Sequence, residues 1–138
     1  IGLWIFSLVC DLIYAFGATT ETWRLVALYT LAGGIVGALV AAVPGFIDML
    51  SLRAALKRIA LLHMAINLTV VVLYGVNLVA RIAAQEPEGM VWLSVLAVAL
   101  LGVSGWLGGK MVYVHGVAVE QPPQPVEGRR RARAVTAK

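Results

Sequence analysis

The sequence predicts an all-α integral membrane protein, folded as a four-helix antiparallel bundle. Of its 138 residues 61% are hydrophobic and only 13% are charged, whereas about a quarter of the residues in soluble domains are charged. Four apolar runs approach the length of a spanning helix, about 20 residues. The connections between these runs are short, so consecutive helices are expected to be antiparallel.

The predicted helices cover residues 1–17, 25–46, 59–80 and 90–114. Pro44 is expected to end the second helix because proline has no backbone N–H to donate. The segment from Asp48 to Arg58 is expected to form an amphipathic helical turn at the membrane surface. We therefore divide the chain into a transmembrane domain, residues 1–119, and a Pro-rich and then basic tail, residues 120–138.

Basic residues are concentrated at one end of the predicted bundle. Arg53, Lys57 and Arg58 lie between the second and third helices, and the tail carries the run Arg129–Arg133. Because Lys and Arg mark the cytoplasmic side, this pattern predicts a multi-pass protein of the bacterial inner membrane with both termini cytoplasmic. A basic run without interleaved aromatic residues gives no basis for nucleic-acid binding, so the predicted surroundings are the lipid bilayer.

The third helix carries a polar stripe within a run that is otherwise apolar. At about 100° per residue, His63, Asn67, Tyr74, Asn77 and Arg81 all fall on one narrow face. Polar groups facing hydrocarbon are costly, so this stripe is expected to face the interior of the bundle.

Asp11 in the first helix needs a partner, because a lone carboxylate is costly in an apolar interior. Two arginines are candidates, Arg81 of the third helix and Arg24 at the start of the second. Asn77 is expected near the same level, so Asp11, Asn77 and Arg81 form the predicted structural polar group.

Small residues predict where helices approach closely. They recur in the second helix and in the fourth: Gly33, Gly34, Gly37, Ala38, Ala41, Gly102, Gly105, Gly108 and Gly109. Trp4, Trp23, Trp92 and Tyr113 are expected at the membrane surface. Trp106 is expected to pack within the bundle or against a bound group.

Two histidines suggest a cofactor, since histidines from facing helices can hold haem iron. Ser104, Gly108, Met111 and His115 share a face of the fourth helix, and His63 lies near the start of the third. The predicted site for haem b or a quinone comprises His63, Asn67, Gly108, Gly109, Met111 and His115, with His63 and His115 as iron ligands. Arg53, Arg58 and Lys110 are expected to contact propionates or a headgroup. The two histidines differ in predicted depth, which opposes the simplest pairing.

Three blocks of sequence resemble the bacterial membrane family catalogued as domain of unknown function 2231. They are "PGFIDML", "LLHMAINLTVVVLYGVNLVAR" and "GVSGWLGGKMVYVHGVAVE". The resemblance implies four membrane helices with both ends on one face, and His63, Asn67, Gly108, Gly109 and His115 match the family's polar blocks. Some members are joined to Rieske or cytochrome c domains, which implies redox chemistry at the membrane. The His-Pro-rich segment usual before the first helix is not found here.

Two functions remain open at this stage. One is a redox-linked subunit holding haem b or a quinone, at most an electron-transfer subunit, because no independent catalytic constellation is recognised. The other is a non-catalytic structural or assembly subunit that packs against other membrane subunits or copies of itself.

Overall fold

The computed structural model describes residues 1–17, 20–84, 88–117 and 119. Four helices account for most of them: α1 (Gly2–Phe16), α2 (Glu21–Leu50), α3 (Ala54–Ala84) and α4 (Glu88–Tyr113). No strand occurs within these ranges, so the all-α helical prediction is confirmed. The predicted tail, residues 120–138, lies outside the described residues.

Three of the helices are long and apolar enough to cross a membrane, namely α2, α3 and α4. With 30, 31 and 26 residues, they extend beyond a hydrocarbon core of about 30 Å at about 1.5 Å per residue. Helix α1 is also apolar, but its 15 residues correspond to only about 22 Å. Helix α1 therefore packs alongside only part of the length of the other three helices.

The helices pack as a closed ring in which each contacts the next in sequence and α1 also contacts α4. Their shared core contains Trp4, Leu31, Val70, Tyr74, Ala97 and Leu101. Helices α1 and α3 are diagonal, yet Trp4 stacks on Tyr74 and Asp11 pairs with Arg81 across the centre. Both pairs are 70 positions apart, so α1 and α3 run parallel in constant register.

This register divides the bundle into two halves. Helix α1 covers α3 over the stretch from Tyr74 to Arg81, and there α2 buries Ala27, Leu31 and Gly34. Beyond that stretch every residue of α2 from Ala41 to Asp48 is exposed. We call these the Arg81 half and the His63 half of the bundle.

Pro44 does not end α2, and the expectation that it would is wrong. The helix continues for six residues past it, to Leu50. Proline removes only one backbone hydrogen bond, and apolar surroundings favour keeping the others. The segment from Asp48 to Arg58 is not a separate helical turn, because Asp48 belongs to α2 and Arg58 to α3, with only residues 51–53 between the helices.

Two tryptophans occupy environments opposite to those expected. Trp4 is only 2% exposed, because Gly34 has no side chain and a Cβ there would overlap the Trp4 ring. Its ring lies 4.4 Å from that of Tyr74, and its Nε1 donates to the Leu31 carbonyl at 3.2 Å. Trp106 is 66% exposed, with Lys110 Nζ lying 5.5 Å from its ring centroid.

Candidate functional site

The polar stripe of α3 makes two clusters at different levels of the bundle. We call Asp11, Asn77, Arg81 and Ser94 the Arg81 cluster, and His63, Asn67, Ser104 and Gly108 the His63 cluster. Each combines α3 with α4, but only the Arg81 cluster includes a residue of α1.

The Arg81 cluster is built on a buried, bidentate ion pair. Arg81 Nη1 and Nη2 donate to the two carboxylate oxygens of Asp11, each at 2.6 Å, and both side chains are at most 3% exposed. This is one of the two pairings left open by the sequence. The other candidate, Arg24, pairs instead with Glu21 one turn away on α2.

Asn77 extends the ion pair to α4. Its Oδ1 accepts from Arg81 Nε at 2.6 Å, while its Nδ2 donates to Ser94 Oγ at 2.9 Å and to the Met90 carbonyl at 3.1 Å. All of these side chains are buried except that of Met90, which is partly exposed. Buried polar groups need such partners, and here they join three helices.

An apolar layer separates the two clusters. Val70 lies between Asn67 and Tyr74 on α3 and is fully buried, as is Ala97 of α4, with Leu101 nearly so. The layer spans about 10 Å along the axis, because Tyr74 comes seven residues after Asn67 and each residue adds about 1.5 Å. The clusters are therefore independent polar sites.

The His63 cluster joins α3 to α4. His63 Nδ1 lies 2.9 Å from the Ser104 carbonyl oxygen and 3.0 Å from Ser104 Oγ. Asn67 Nδ2 donates to Ser104 Oγ at 2.6 Å and to the His63 carbonyl at 2.8 Å. His63 and Asn67 are half-buried, whereas Ser104 is buried, so the cluster has one face turned outward.

Gly108 belongs to this cluster because its missing side chain makes room for the imidazole. A Cβ on Gly108 would lie 3.2 Å from His63 Cε1. Gly109 is open, since the nearest atom to its Cβ position is Tyr113 Cδ2 at 3.9 Å. Met111 is buried one turn further along.

His115 is not brought together with His63. It lies in the turn after α4 and is exposed, about 10 Å beyond Gly108 along the helix direction at about 1.5 Å per residue. Arg53, Arg58 and Lys110 are exposed at the same end of the bundle. No hydrogen bond links His63 to Asp48 among the described residues.

The comparison with known families agrees with this architecture. A family model described as "Predicted membrane protein (DUF2231)" matches residues 1–121. The chain belongs to this family. The match covers all four helices and confirms both the resemblance seen in the sequence and the assignment to membrane proteins. Neither the curated proteins nor the solved structures give a match.

In this DUF2231 member, sequence reasoning missed the α4 serines as partners of the α3 stripe. Helical periodicity places Ser104 on one face of α4, but it does not identify Ser104 or Ser94 as partners of α3. A usable signal was present, because Ser94 and Ser104 are ten residues apart, as are Asn77 and Asn67. Matching spacings on antiparallel neighbours place each Asn opposite a Ser.

Proposed function

We propose that this DUF2231 protein is a redox-linked inner-membrane subunit that binds a quinone-type headgroup at the His63 cluster. The observation that supports it is the way His63 is held. Its Nδ1 is engaged by Ser104, while no partner for Nε2 occurs among the described residues. A half-buried imidazole with one nitrogen anchored and the other free is suited to hold a ligand.

The same geometry favours a quinone-type ligand over haem b. His63 is suited to serve as one axial ligand, but His115 lies about 10 Å further along, in the turn past α4. Two axial ligands must face each other across one iron, so this pair does not fit a bis-histidine haem. A quinone-type headgroup requires only hydrogen-bonding groups at one level, which His63 and Asn67 supply.

The bilayer orientation forms part of the proposal. Arg53, Lys57, Arg58 and Lys110 lie at the His63 end of the helices, and the positive-inside rule makes this the cytoplasmic end. Exposed basic side chains there are suited to hold the polar part of a membrane ligand. Reporter fusions at Lys138 and at Glu88 are expected on opposite sides, with Lys138 cytoplasmic. Matching sides would contradict the four-span topology.

Binding is tested on the purified protein in lipid nanodiscs. Saturation-transfer NMR with a short-chain benzoquinone and its hydroquinone should detect contact with at least one of them. His63→Leu should abolish the contact. Thr69→Val serves as the control, because Thr69 is exposed and bonds only the Ala65 carbonyl of its own helix. An absorption spectrum of the same sample provides the test for haem, and a Soret band lost in His63→Leu would favour haem instead.

A structural or assembly subunit is the second candidate, and a different observation favours it. Several small residues face outward with no atom within 4 Å of their Cβ positions, including Gly37, Gly102 and Gly105. Small residues on a lipid-facing surface let a further helix approach closely. Native mass spectrometry should then detect a homo-oligomer or a bound subunit that Gly105→Leu disrupts. A monomer in both cases would count against this role.

A further inference from the structure

The hydrogen bonds within the His63 cluster determine what kind of ligand atom it can hold. His63 Nδ1 lies 2.9 Å from the Ser104 carbonyl oxygen, which only accepts, and 3.0 Å from Ser104 Oγ, which can donate or accept. We assign the hydrogen to Nδ1, where it meets the carbonyl oxygen at the shorter distance. In a neutral imidazole the other nitrogen then carries a lone pair. The free Nε2 is therefore an acceptor.

The orientation of the Asn67 side-chain amide follows from its contacts in the same way. Its Nδ2 lies 2.8 Å from the His63 carbonyl, which identifies that atom as the amide nitrogen, because two oxygens would repel. The second hydrogen goes to Ser104 Oγ. Both donors are thus used within the cluster, and no partner for Asn67 Oδ1 occurs among the described residues.

Asn77 is the matched case in the same helix. It also places Nδ2 on an α4 serine and on a carbonyl, but its Oδ1 accepts from Arg81 Nε at 2.6 Å. The Arg81 cluster therefore has a donor for this oxygen, whereas the His63 cluster offers two acceptors, His63 Nε2 and Asn67 Oδ1.

We propose that the His63 cluster is an acceptor site that binds the reduced, hydroquinone form of the carrier in preference to the quinone. This inference rests on the proposed function. A hydroquinone presents hydroxyl donors, whereas a quinone presents carbonyl acceptors that would face the two acceptors of the protein. Leaving a hydrogen-bonding group unmatched is costly, so the oxidation state of the headgroup decides the fit.

The preference is measured by comparing the two oxidation states of one short-chain carrier, under anaerobic conditions, in nanodiscs containing the full chain. We expect the hydroquinone to bind roughly tenfold more tightly than the quinone. This ratio of dissociation constants corresponds to a difference of about 1.4 kcal/mol in binding free energy. Equal or tighter binding of the quinone would overturn this inference while leaving the proposed function standing. Absence of binding by both forms would instead refute the proposed function.

The hydrogen positions are tested without any ligand or folding-sensitive variant. Nitrogen-15 NMR of labelled histidine should show His63 with Nδ1 protonated and Nε2 unprotonated, and His115→Gln assigns the two signals. The opposite tautomer would overturn the proposal. In the binding assay, His63→Gln introduces an amide donor, so the ratio of hydroquinone affinity to quinone affinity should fall toward one. Thr69→Val should leave this ratio unchanged.

Discussion

The two clusters share one arrangement, and they differ in what completes it. In each, an asparagine of α3 donates to a serine of α4, Asn67 to Ser104 and Asn77 to Ser94. One turn away on α3 lies a basic side chain, His63 or Arg81. Arg81 is bound by Asp11 of α1, but α1 covers α3 only over the Arg81 half. Among the described residues, no α1 side chain completes the His63 cluster.

This difference supports the proposed division of roles, in which the Arg81 cluster stabilises the fold and the His63 cluster holds a ligand. In the Arg81 cluster, donors and acceptors are matched and buried, so a ligand would have to displace protein groups. In the His63 cluster the donors are used internally, and the acceptors remain on a half-buried face. The local helix pairing is the same, so the presence or absence of α1 accounts for the difference.

The largest expected effect comes from breaking the ion pair of the closed cluster. Asp11→Ala leaves Arg81 charged and buried, so we expect a loss of about 3–5 kcal/mol in the free energy of unfolding. Denaturation in mixed detergent micelles measures it. The exposed pair on α2 is the control, and Glu21→Gln should leave the free energy of unfolding nearly unchanged, because exposed ion pairs contribute little.

A double variant distinguishes pairing from the mere presence of charge. Asp11→Leu with Arg81→Met removes both charges and should be more stable than Asp11→Ala, because no unpaired ion remains. If the single and double variants lost the same free energy of unfolding, the pair would contribute through packing alone. That result would count against the claim that a matched ion pair distinguishes the Arg81 cluster from the His63 cluster.

Sequence periodicity predicted the inward face of α3 because that inference needs only helix geometry. Tyr74, Asn77 and Arg81 are all buried. The expectations for Trp4 and Trp106 were wrong, because they rest on residue type alone. Residue type indicates a preference for the membrane surface, but it does not show which neighbouring helix leaves space for the indole ring. The space for Trp4 comes from Gly34 of another helix. The sequence grouped His115 with His63, and the structure has His115 exposed in the turn that follows Tyr113, the last residue of α4.

The two asparagines provide a matched test of the comparison itself. Asn77→Leu leaves Arg81 Nε without its acceptor, so we expect a loss of about 1.5–3 kcal/mol, the range for a bond to a charged group. Asn67→Leu removes only neutral bonds and should cost about 1 kcal/mol. Similar losses for the two variants, measured in the same micelle assay, would contradict the claim that only the Arg81 cluster is complete.

The contact of α1 with α2 should respond to one added methyl group. Gly34→Ala places a Cβ into the Trp4 ring, and we expect a loss of about 1 kcal/mol, the lower end of the range for overpacking. Gly37→Ala is the control three residues along the same helix, with no atom within 4 Å of the added group. If both variants were equally stable, Trp4 would not be held by the space at Gly34.

The smallest expected effect is at Tyr74, between the two clusters. Its side chain is fully buried, and its hydroxyl has no hydrogen-bond partner among the described residues. Because a buried hydroxyl without a partner does not contribute the usual stabilisation, Tyr74→Phe should leave the free energy of unfolding unchanged within about 0.5 kcal/mol, or raise it. Tyr74→Leu should lower it by removing the ring that stacks on Trp4. A clear loss in Tyr74→Phe would indicate that the hydroxyl belongs to the Arg81 cluster, which would then extend one turn further toward the apolar layer.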